Sequence, residues 1–384
     1  MKRVKICDFA DVITGGTPST SNPEYWDNGD IPWLQSGACQ NCLITKCDTF
    51  ITQKGLDNSA AKMMKPDSVL IALTGATTGK VGFLTFEACA NQSVTGIQPN
   101  ERFVPKYLFY YLKGIRQKIL DDSYGGAQKH ISQGYVKDIE VPLGTISEQT
   151  EIADMLERID KVISVRQQQM QWLDTIIKAR FVEMFGDETN PYNWPIINVE
   201  DIATVTVGVV IKPAQYYTDA DHGVKAFRSL NVGEMYIKDN DWVYFSQEGN
   251  DKNNKSQLHE NDLLIIRSGA PGVACVVTKQ YEGCNAIDII IARPDTDKID
   301  PYYLCMYTNM PHGKRQIEEG TGGAAQQHFN VGKYNKLRLM LPPIEKQKQF
   351  SSFIAQIDKS KVAIQVALDK TQLLFDSLMQ KYFG

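Results

Sequence analysis

The stretch whose residues most suggest chemistry is TGATTGK, residues 74–80, which is similar to a phosphate-binding loop. Such a loop has four residues between its glycines and a Ser or Thr after its Lys, where magnesium is held. Here only three residues separate Gly75 from Gly79, and Val81 follows Lys80. A related stretch later in the chain, SGAPGVA, has no Lys at all. These departures argue against a nucleoside-triphosphate site.

A second candidate is TNPYNW, residues 189–194, which resembles the Asn-Pro-Pro-aromatic motif of amino-methyltransferases. It lacks the second Pro, and no glycine-rich cofactor loop follows a strand upstream of it. The five histidines and the scattered acidic residues offer no nucleophile and base at a telling spacing. The sequence therefore predicts no catalytic residue, and we interpret the chain as a binding protein.

The eight cysteines are unevenly distributed, and only CQNCLITKC, residues 39–47, has close spacing. One Cys-x-x-Cys without a second pair or a nearby His is a weak zinc signal, so we expect reduced, half-buried thiols and no metal site. No run approaches 18 apolar residues, and the start, MKRVKICDFADV, has no apolar signal core. We expect a cytoplasmic protein that does not enter a membrane.

The elements that would hold a site are duplicated, because the chain matches itself over nearly its whole length. A shift of 193 residues aligns Asp8 with Asp201 and Gly15 with Gly208, and a shift of 194 aligns Gly75 with Gly269. From Gly126 to Gly186 the shift is 198 without a gap. Small loop insertions account for the drift. The chain is predicted to be a tandem duplication.

Each copy ends in a long segment without Gly or Pro, from Ser147 to Phe185 and from Glu345 to Phe383. Apolar residues recur there at the three- and four-residue steps of a helix of about 58 Å. The predicted packing residues are Ile152, Met155, Ile159, Ile163, Met170, Leu173 and Ile177 in the first helix and Phe350, Phe353, Ile357, Ile364, Leu368, Leu374 and Leu378 in the second.

A helix this long needs a partner for its apolar seam, and the natural partner is the helix of the other copy. Residues 144–187 contain 5 Lys or Arg and 8 Asp or Glu, which gives a net charge of −3. Residues 344–384 contain 6 Lys or Arg and 4 Asp or Glu, which gives a net charge of +2, and opposite charges favour association of the two segments. The alternative is that each helix only caps its own domain. The remaining parts are predicted to be mixed α and β, with strands in SVLIALTG, DLLIIRSG and NAIDIIIA and a helix in PKYLFYYLKGIRQKIL.

Several stretches together carry a family resemblance. GGTPSTSNPEYWDNGDIPWLQSG, GATTGKVG followed by NQS, GGAQKHIS and PLGTISEQTEIADML come in the order found in specificity subunits of type I restriction-modification systems. NPYNWP, KAFRSLNV, TGGAAQQHFN and LPPIEKQKQF fill the same places in the second copy. The second copy departs from this pattern by having TVGVVIKPA where the first has ITGGTPS. The resemblance covers essentially the whole chain.

The resemblance implies an α+β fold of two similar mixed α/β target recognition domains, each a twisted sheet with short helices. Two long antiparallel helices in a coiled coil would separate them, with a pseudo-twofold axis from the duplication. The recognition domains would span residues 1–143 and 188–343, and the spacer helices residues 144–187 and 344–384.

By the same resemblance, the chain would have no catalytic site. Each recognition domain would read one half of a bipartite double-stranded DNA target, and the helices would set the spacing and dock two methyltransferase subunits. Restriction or translocase subunits would join these in a complete system. S-adenosylmethionine, ATP and Mg would be bound by the partner subunits, and this chain would bind no cofactor.

Polar residues in glycine-bounded loops are the types that reach groove edges, so they are the candidates for DNA contact. In the first copy these are Thr17, Ser19, Thr20, Gln35, Ser36, Thr77, Lys80, Gln128 and Lys129, and in the second Arg228, Ser229, Asn253, Lys255, Arg267, Ser268, Gln326 and Gln327. We interpret His130 and His328 as structural, and Tyr25, Trp26 and Trp33 as a hydrophobic lid.

Charge weakens the expectation of tight DNA binding by the isolated chain, since the net charge is −4 and the pI about 5.8. Lys and Arg would have to be segregated on one face, or the partners would have to contribute phosphate contacts. Two other classes stay open. One is a stand-alone methyltransferase or nuclease with an unrecognised active site, and the other is a scaffold that binds proteins.

Overall fold

A computed structural model describes residues 2–126, 128–321 and 329–384 of the chain. The chain forms two compact units. Unit 1 comprises residues 1–167 and 365–384, and unit 2 comprises residues 168–364.

The described residues of unit 1 form ten strands and five short α-helices, together with part of each long helix. The strands are β1 Lys2–Lys5, β2 Val12–Thr14, β3 Ile31–Leu34, β4 Cys42–Ile44, β5 Phe50–Ile51, β6 Val69–Ala72, β7 Val81–Leu84, β8 Cys89–Ala90, β9 Val94–Ile97 and β10 Glu140–Leu143. The helices are α1 Ile6–Phe9, α2 Gln53–Asp57, α3 Pro105–Gly114, α4 Arg116–Asp121, α5 Gln133–Asp138 and the long α6 Ile146–Phe185, which continues into unit 2.

The main sheet of unit 1 has the order β2-β9-β6-β7-β4, and a second sheet has the order β5-β3-β8. Strand β6 is apolar along its whole length and fully buried, as the predicted strand SVLIALTG requires. Helix α3 begins with Pro105 at its first turn and covers the main sheet, with Phe109 packed edge-on against Phe83. The predicted helix is interrupted at Ile115, and α4 begins at Arg116.

Unit 2 repeats this arrangement. Its strands are β11 Ile196–Asn198, β12 Ala203–Val207, β13 Tyr217–Thr218, β14 Gly223–Phe227, β15 Val243–Ser246, β16 Leu263–Ile266, β17 Ala274–Val276, β18 Asn285–Ala286, β19 Ile289–Pro294 and β20 Arg338–Met340. Its helices are α7 Gln247–Lys252, α8 Pro301–Asn309, α9 Pro311–Thr321, α10 Val331–Asn335 and the long α11 Ile344–Phe383, which continues into unit 1.

The sheets of unit 2 have the orders β12-β19-β16-β17 and β13-β15-β14-β18. Strand β14 pairs with β18 in parallel, just as β3 pairs with β8 in unit 1. The two units therefore share a mixed α/β topology, including a parallel pair between strands far apart in sequence. This similarity confirms the tandem duplication predicted from the sequence.

The two long helices begin and end within one residue of the predicted segments, and they run antiparallel in each unit. In unit 1 the Met155 sulfur lies 3.8 Å from the Tyr382 hydroxyl, and Arg166 donates to the Ala367 carbonyl at 2.5 Å. In unit 2 Asp174 of α6 pairs with Lys361 of α11 at 2.6 Å. The prediction that the helices pack against each other is confirmed.

Both helices also pack on the sheets and short helices of their units. In unit 1 Ile152 and Leu156 of α6 and Phe375, Met379 and Phe383 of α11 share one core with α3. In unit 2 Phe181 and Phe350 share the core with α8. The helices thus pair with each other and cover the domains at the same time.

The prediction that Leu374 packs against the core is wrong. Leu374 is 51% exposed, whereas the neighbouring Phe375 is buried. The buried positions follow three- and four-residue steps from Leu368 through Phe375 to Met379 and Phe383, and Leu374 lies outside that stripe. Of the other predicted positions, Ile152, Ile163, Ile177 and Phe350 are buried and the rest are half-buried.

Candidate nucleic-acid interface

The strand ends of unit 1 bring together the loops after β2, β3 and β6 and the turn between β8 and β9 at one edge of its two sheets. Thr14 at the end of β2 pairs with Thr95, Ala72 at the end of β6 pairs with Val94, and Leu34 at the end of β3 pairs with Ala90. The turn Asn91–Ser93 lies between β8 and β9 and joins these ends. We call the loops at this edge the unit 1 loop edge.

Hydrogen bonds to this turn tie the loops together. The backbone N–H of Asn91 donates to the Leu34 carbonyl at 2.9 Å, next to Gln35. The N–H of Leu73 donates to the Ser93 carbonyl at 2.8 Å, just before the loop of residues 74–80. Segments far apart in sequence therefore meet around three residues.

The loop after β2 depends on close backbone contacts. A Cβ on Gly15 would lie 2.1 Å from the Ala90 carbonyl oxygen, and one on Gly16 would lie 2.4 Å from the Ala60 carbonyl carbon. The Trp33 indole N–H donates to the Gly16 carbonyl at 2.9 Å, and the Thr17 hydroxyl donates to Oε1 of Gln92 at 2.5 Å. The two glycines let the loop approach the sheet, and these bonds hold Thr17 at the edge.

The aromatic residues near this loop belong to the core. Trp33 is 5% exposed, and Trp26 contacts it edge-on with ring centroids 5.0 Å apart. The Trp26 indole N–H donates to the Ser19 carbonyl at 3.1 Å. Trp33 and Trp26 pack together as the interpretation of a hydrophobic lid predicts, whereas Tyr25 is half-buried and lies outside this cluster. Trp26 also positions the loop that carries Ser19.

The segment 74–80 forms a tight connection between β6 and β7, not a strand-to-helix phosphate cradle. Gly75 and Gly79 have φ angles of 73° and 72°, which favour glycine, and Gly75 begins a short 3-10 helix that ends at Thr77. The buried Thr78 hydroxyl lies 2.8 Å from the carbonyl oxygens of both Gly75 and Lys129, which share its single O–H donor. This brings Lys129 to the same edge.

Most of the DNA-contact candidates of unit 1 lie at this edge. Six of these candidates have exposed side chains, namely Thr17, Ser19, Thr20, Gln35, Gln128 and Lys129. The other three, Ser36, Thr77 and Lys80, are half-buried. Thr77 donates to the Thr74 carbonyl, and Lys80 donates to Oε1 of Gln40 at 2.6 Å. His130 is half-buried and lies edge-on to Tyr124 with ring centroids 4.9 Å apart, consistent with a structural residue.

Sequence reasoning did not select Gln92, an exposed residue in the turn that connects the loops. The motif NQS, residues 91–93, could have indicated Gln92, because it places a Gln between two strand-like runs. This Gln has the same side-chain chemistry as the predicted DNA-contact residues Gln35 and Gln128. Its carboxamide can reach the edge of an adenine with both a donor and an acceptor.

Unit 2 has an equivalent edge, the unit 2 loop edge. Phe227 at the end of β14 pairs with Ala286, and Ile266 at the end of β16 pairs with Ile289. The N–H of Ile287 donates to the Phe227 carbonyl at 2.8 Å, so the loop that begins at Arg228 starts here. Ser229 in that loop is exposed.

Arg267 also lies at this edge, but its guanidinium is engaged. It donates to Oδ1 of Asp288 at 2.6 Å and to the Phe329 carbonyl at 3.2 Å, and its side chain is only 15% exposed. Ser268 follows it and is half-buried. Arg267 therefore organises the edge through the turn that contains Asp288.

Two candidates of unit 2 do not join the others. Asn253 and Lys255 follow α7, which begins where β15 ends. That end of β15 pairs with Gly223, the first residue of β14, whereas Arg228 follows the last residue of β14. The Asn253 amide donates to the Gly249 carbonyl at 2.7 Å. The structure thus separates these residues from Arg228 and Arg267. Gln326, Gln327 and His328 lie outside the described residues.

The stretch TNPYNW forms the turn that follows α6. The Asn190 side chain accepts a hydrogen bond from the Trp194 N–H at 2.9 Å and donates to the Trp194 carbonyl at 2.8 Å. The Trp194 indole donates to the Phe185 carbonyl at 3.1 Å. Both polar atoms of the Asn190 amide are thus used in closing the turn.

The cysteines are free thiols in the structure. Burial raises the pKa of Cys39 and of Cys275 to about 12, which keeps these two thiols protonated. Cys42 is exposed and Cys47 is half-buried. Within residues 2–126, 128–321 and 329–384, no group of three or more His, Cys, Asp or Glu side chains is arranged to hold a metal ion. No helix in this part of the chain is long and apolar enough to cross a membrane.

This duplicated arrangement of two mixed α/β units with paired long helices matches known proteins. A profile of the type I restriction modification DNA specificity domain matches residues 1–173 and 178–371. The chain belongs to this family of type I restriction-modification specificity subunits and carries two recognition domains.

Relatives and solved structures agree with that placement. The MjaIX specificity subunit of Methanocaldococcus jannaschii is 22% identical over 98% of this chain and 91% of its own length. The EcoKI specificity subunit of Escherichia coli is 21% identical over 94% of this chain and 83% of its own length. The S subunit of the type I restriction-modification system from M. genitalium has a similar fold, with a TM-score of 0.57, 15% identity and coverage of 100% of this chain and 96% of that one.

Proposed function

We propose that this chain is the non-catalytic subunit that gives a type I restriction-modification complex its DNA sequence specificity. In this proposal residues 1–143 and 188–343 are recognition domains, each reading one half of a bipartite double-stranded DNA target. The observation that carries it is the duplicated loop edge, where polar side chains from loops distant in sequence come together on a rigid pair of sheets. The candidates at these edges are proposed to contact DNA, namely Thr17, Ser19, Thr20, Gln35, Ser36, Thr77, Lys80, Gln128 and Lys129 in unit 1 and Arg228, Ser229, Arg267 and Ser268 in unit 2.

The segments 144–187 and 344–384 are proposed to set the spacing between half-sites and to dock two methyltransferase subunits. Exposed apolar side chains on these helices support docking. In unit 1 Val165 is 45% exposed and Leu373 is 71% exposed, and in unit 2 Trp172 is 56% exposed and Val362 is 63% exposed. Apolar side chains at this exposure on a helix face are typical of a surface that a partner covers.

The partner subunits are proposed to bind S-adenosylmethionine and, in a complex that also cleaves DNA, ATP and Mg. The proposed location is the cytoplasm, where the genome is. Because the net charge of the chain is −4, we infer that partner subunits supply much of the phosphate contact and that the isolated chain binds DNA weakly. The engaged Asn190 amide gives no support to a methyltransferase site within this chain.

The test is a methylation assay with the chain and its methyltransferase subunits, separately and together. We expect sequence-specific adenine methylation only when both are present. Methylation by the isolated chain would favour a stand-alone enzyme. Methylation without sequence preference by the assembled complex would favour a scaffold.

A further inference from the structure

The loop after the first strand of the main sheet has different chemistry in the two units. In unit 1 the loop after β2 presents the hydroxyl side chains of Thr17, Ser19 and Thr20. In unit 2 the loop after β12 presents Val210 and Ile211, which are 50% and 78% exposed. Because the sheets beneath the two loops share one topology, the difference lies in what each loop presents to its surroundings.

The apolar loop is held by ordered structure on both sides. The N–H of Gly208 donates to the Ile289 carbonyl at 2.9 Å, and the N–H of Val209 donates to the Ala286 carbonyl at 2.8 Å. The Val209 side chain packs against a small cluster that includes Phe245. Lys212 then has a φ angle of 44° and precedes a short 3-10 helix. Ile211 is therefore presented by a fixed backbone.

A third exposed apolar residue lies on a neighbouring loop of the same edge. Leu230 is 59% exposed in the 3-10 helix that follows β14. Val209 forms a bridge with Ile287, and the N–H of Ile287 donates to the Phe227 carbonyl, so both loops start beside the same residue. The ion pair of Arg267 and Asp288 lies next to them.

The chemistry of this patch matches one feature of duplex DNA. Base edges in the major groove are polar except for the C5 methyl group of thymine, which accepts apolar contacts. Val and Ile are β-branched and have few rotamers, so they lose little conformational entropy when they pack against a fixed methyl group. Arg228, which begins the loop that carries Leu230, is half-buried, and its guanidinium donates to the Asp241 carbonyl.

We propose that Val210 and Ile211, with Leu230, contact thymine methyl groups in the major groove of the half-site that unit 2 reads. The proposal rests on the proposed function and adds the base chemistry that this half-site must contain. It also explains why the second copy departs from the Gly-Thr-Pro-Ser loop of the first: a loop that contacts methyl groups needs apolar side chains in place of hydroxyls.

The test uses the complex assembled with its methyltransferase subunits and its target duplex. Each thymine of the unit 2 half-site is replaced in turn by deoxyuridine, which removes only the methyl group, and the binding affinity and methylation rate are measured. We expect one or two positions at which affinity falls about fourfold, the effect of one buried methyl group. In the double variant Val210→Asn, Ile211→Asn the same replacement should have no effect. Deoxyuridine in the other half-site should act equally on both complexes.

The side chains of Val210 and Ile211 are exposed, so an unchanged melting temperature of the double variant is the control for folding. A unit 2 half-site without thymine, or a wild-type complex that is indifferent to every deoxyuridine, overturns the proposal. So does a double variant that keeps the wild-type sensitivity. An assembled complex with no preference for any DNA sequence would instead overturn the proposed function itself.

Discussion

The Thr17 hydroxyl donates to Oε1 of Gln92 at 2.5 Å, which joins the loop after β2 to the turn before β9. The bond links positions 75 residues apart and orients the Gln92 carboxamide at the loop edge. A side chain that reads a base must be held in one orientation, because a misaligned amide loses one of its two hydrogen bonds to adenine. We therefore expect Thr17 to position Gln92 as well as to contact DNA itself.

Replacing Thr17 by Val is expected to weaken target binding by the assembled complex about fivefold, through the loss of one orienting hydrogen bond. The melting temperature should change little, because Thr17 is exposed. Thr45→Val is the matched control, since Thr45 is exposed and follows β4 at the opposite edge of the main sheet. Equal effects of the two substitutions would contradict a role for Thr17 at the interface.

Each recognition domain is expected to act independently. Exchanging residues 1–140 for the matching part of a relative should change one half of the methylated sequence and leave the other half as it was. The reason is that each unit has its own sheets, its own core and its own loop edge. Sequencing of the methylated adenines decides the matter, and a change in both halves would contradict independent reading.

The length of the long helices is expected to set the distance between the half-sites. A helix rises about 1.5 Å per residue, whereas DNA advances about 3.4 Å per base pair. Inserting four residues after Gln168 should lengthen the DNA spacer by one or two base pairs, or abolish activity if α11 cannot follow. Full activity with an unchanged spacer in the methylome would show that the helices do not set this distance.

The exposed apolar side chains of the helices are expected to bind the methyltransferase subunits. Trp172→Arg should weaken assembly at least tenfold, because it places a charge where a large aromatic ring would be buried. Gln171→Arg introduces the same charge at the adjacent exposed position, which faces another direction on the helix, and serves as the control. Assembly can be measured by analytical ultracentrifugation, and equal behaviour of the two variants would argue for docking elsewhere.

Unit 2 is expected to lose stability in mild acid through His312. Burial lowers the pKa of His312 to about 4, against the opposing effect of Glu188 and Asp187, and its ring stacks on Phe181. Between an unfolded value of about 6.5 and a folded value of about 4, the unfolded chain binds a proton that the folded chain does not. Stability is therefore full above pH 6.5 and falls as the pH drops towards 4.

The expected loss attributable to His312 between pH 7 and pH 5 is about 2 kcal/mol. Denaturant unfolding of the full chain at both pH values should show this loss in the wild type and not in His312→Leu, even if the variant is less stable at pH 7. The exposed His259, replaced in the same way, is the control. A pH dependence that survives His312→Leu would assign the effect to other groups.

The sequence by itself determined the features that follow from local periodicity and from comparison of the chain with itself. Three- and four-residue steps predicted α6 and α11 to within one residue, since a helix depends on neighbours along the chain. The duplication predicted that two similar units would form. Among the predicted packing residues of the two helices, only Leu374 is exposed. Leu373 and Leu374 directly precede Phe375, and periodicity alone did not decide which of these apolar side chains faces the core.

Only the tertiary structure decided which polar residues share an edge. The parallel pairing of β3 with β8 brings Leu34 beside Ala90, and so gathers Gln35, Gln92 and Thr17 in one place. In unit 2 the antiparallel pairing of β15 with β14 places α7, and with it Asn253 and Lys255, at the end of β14 opposite Arg228, although all three residues lie in loops of similar composition. The pairing of β3 with β8 joins residues more than 50 positions apart. Such pairings depend on how whole sheets assemble, a property that residue types and spacing along the chain do not contain.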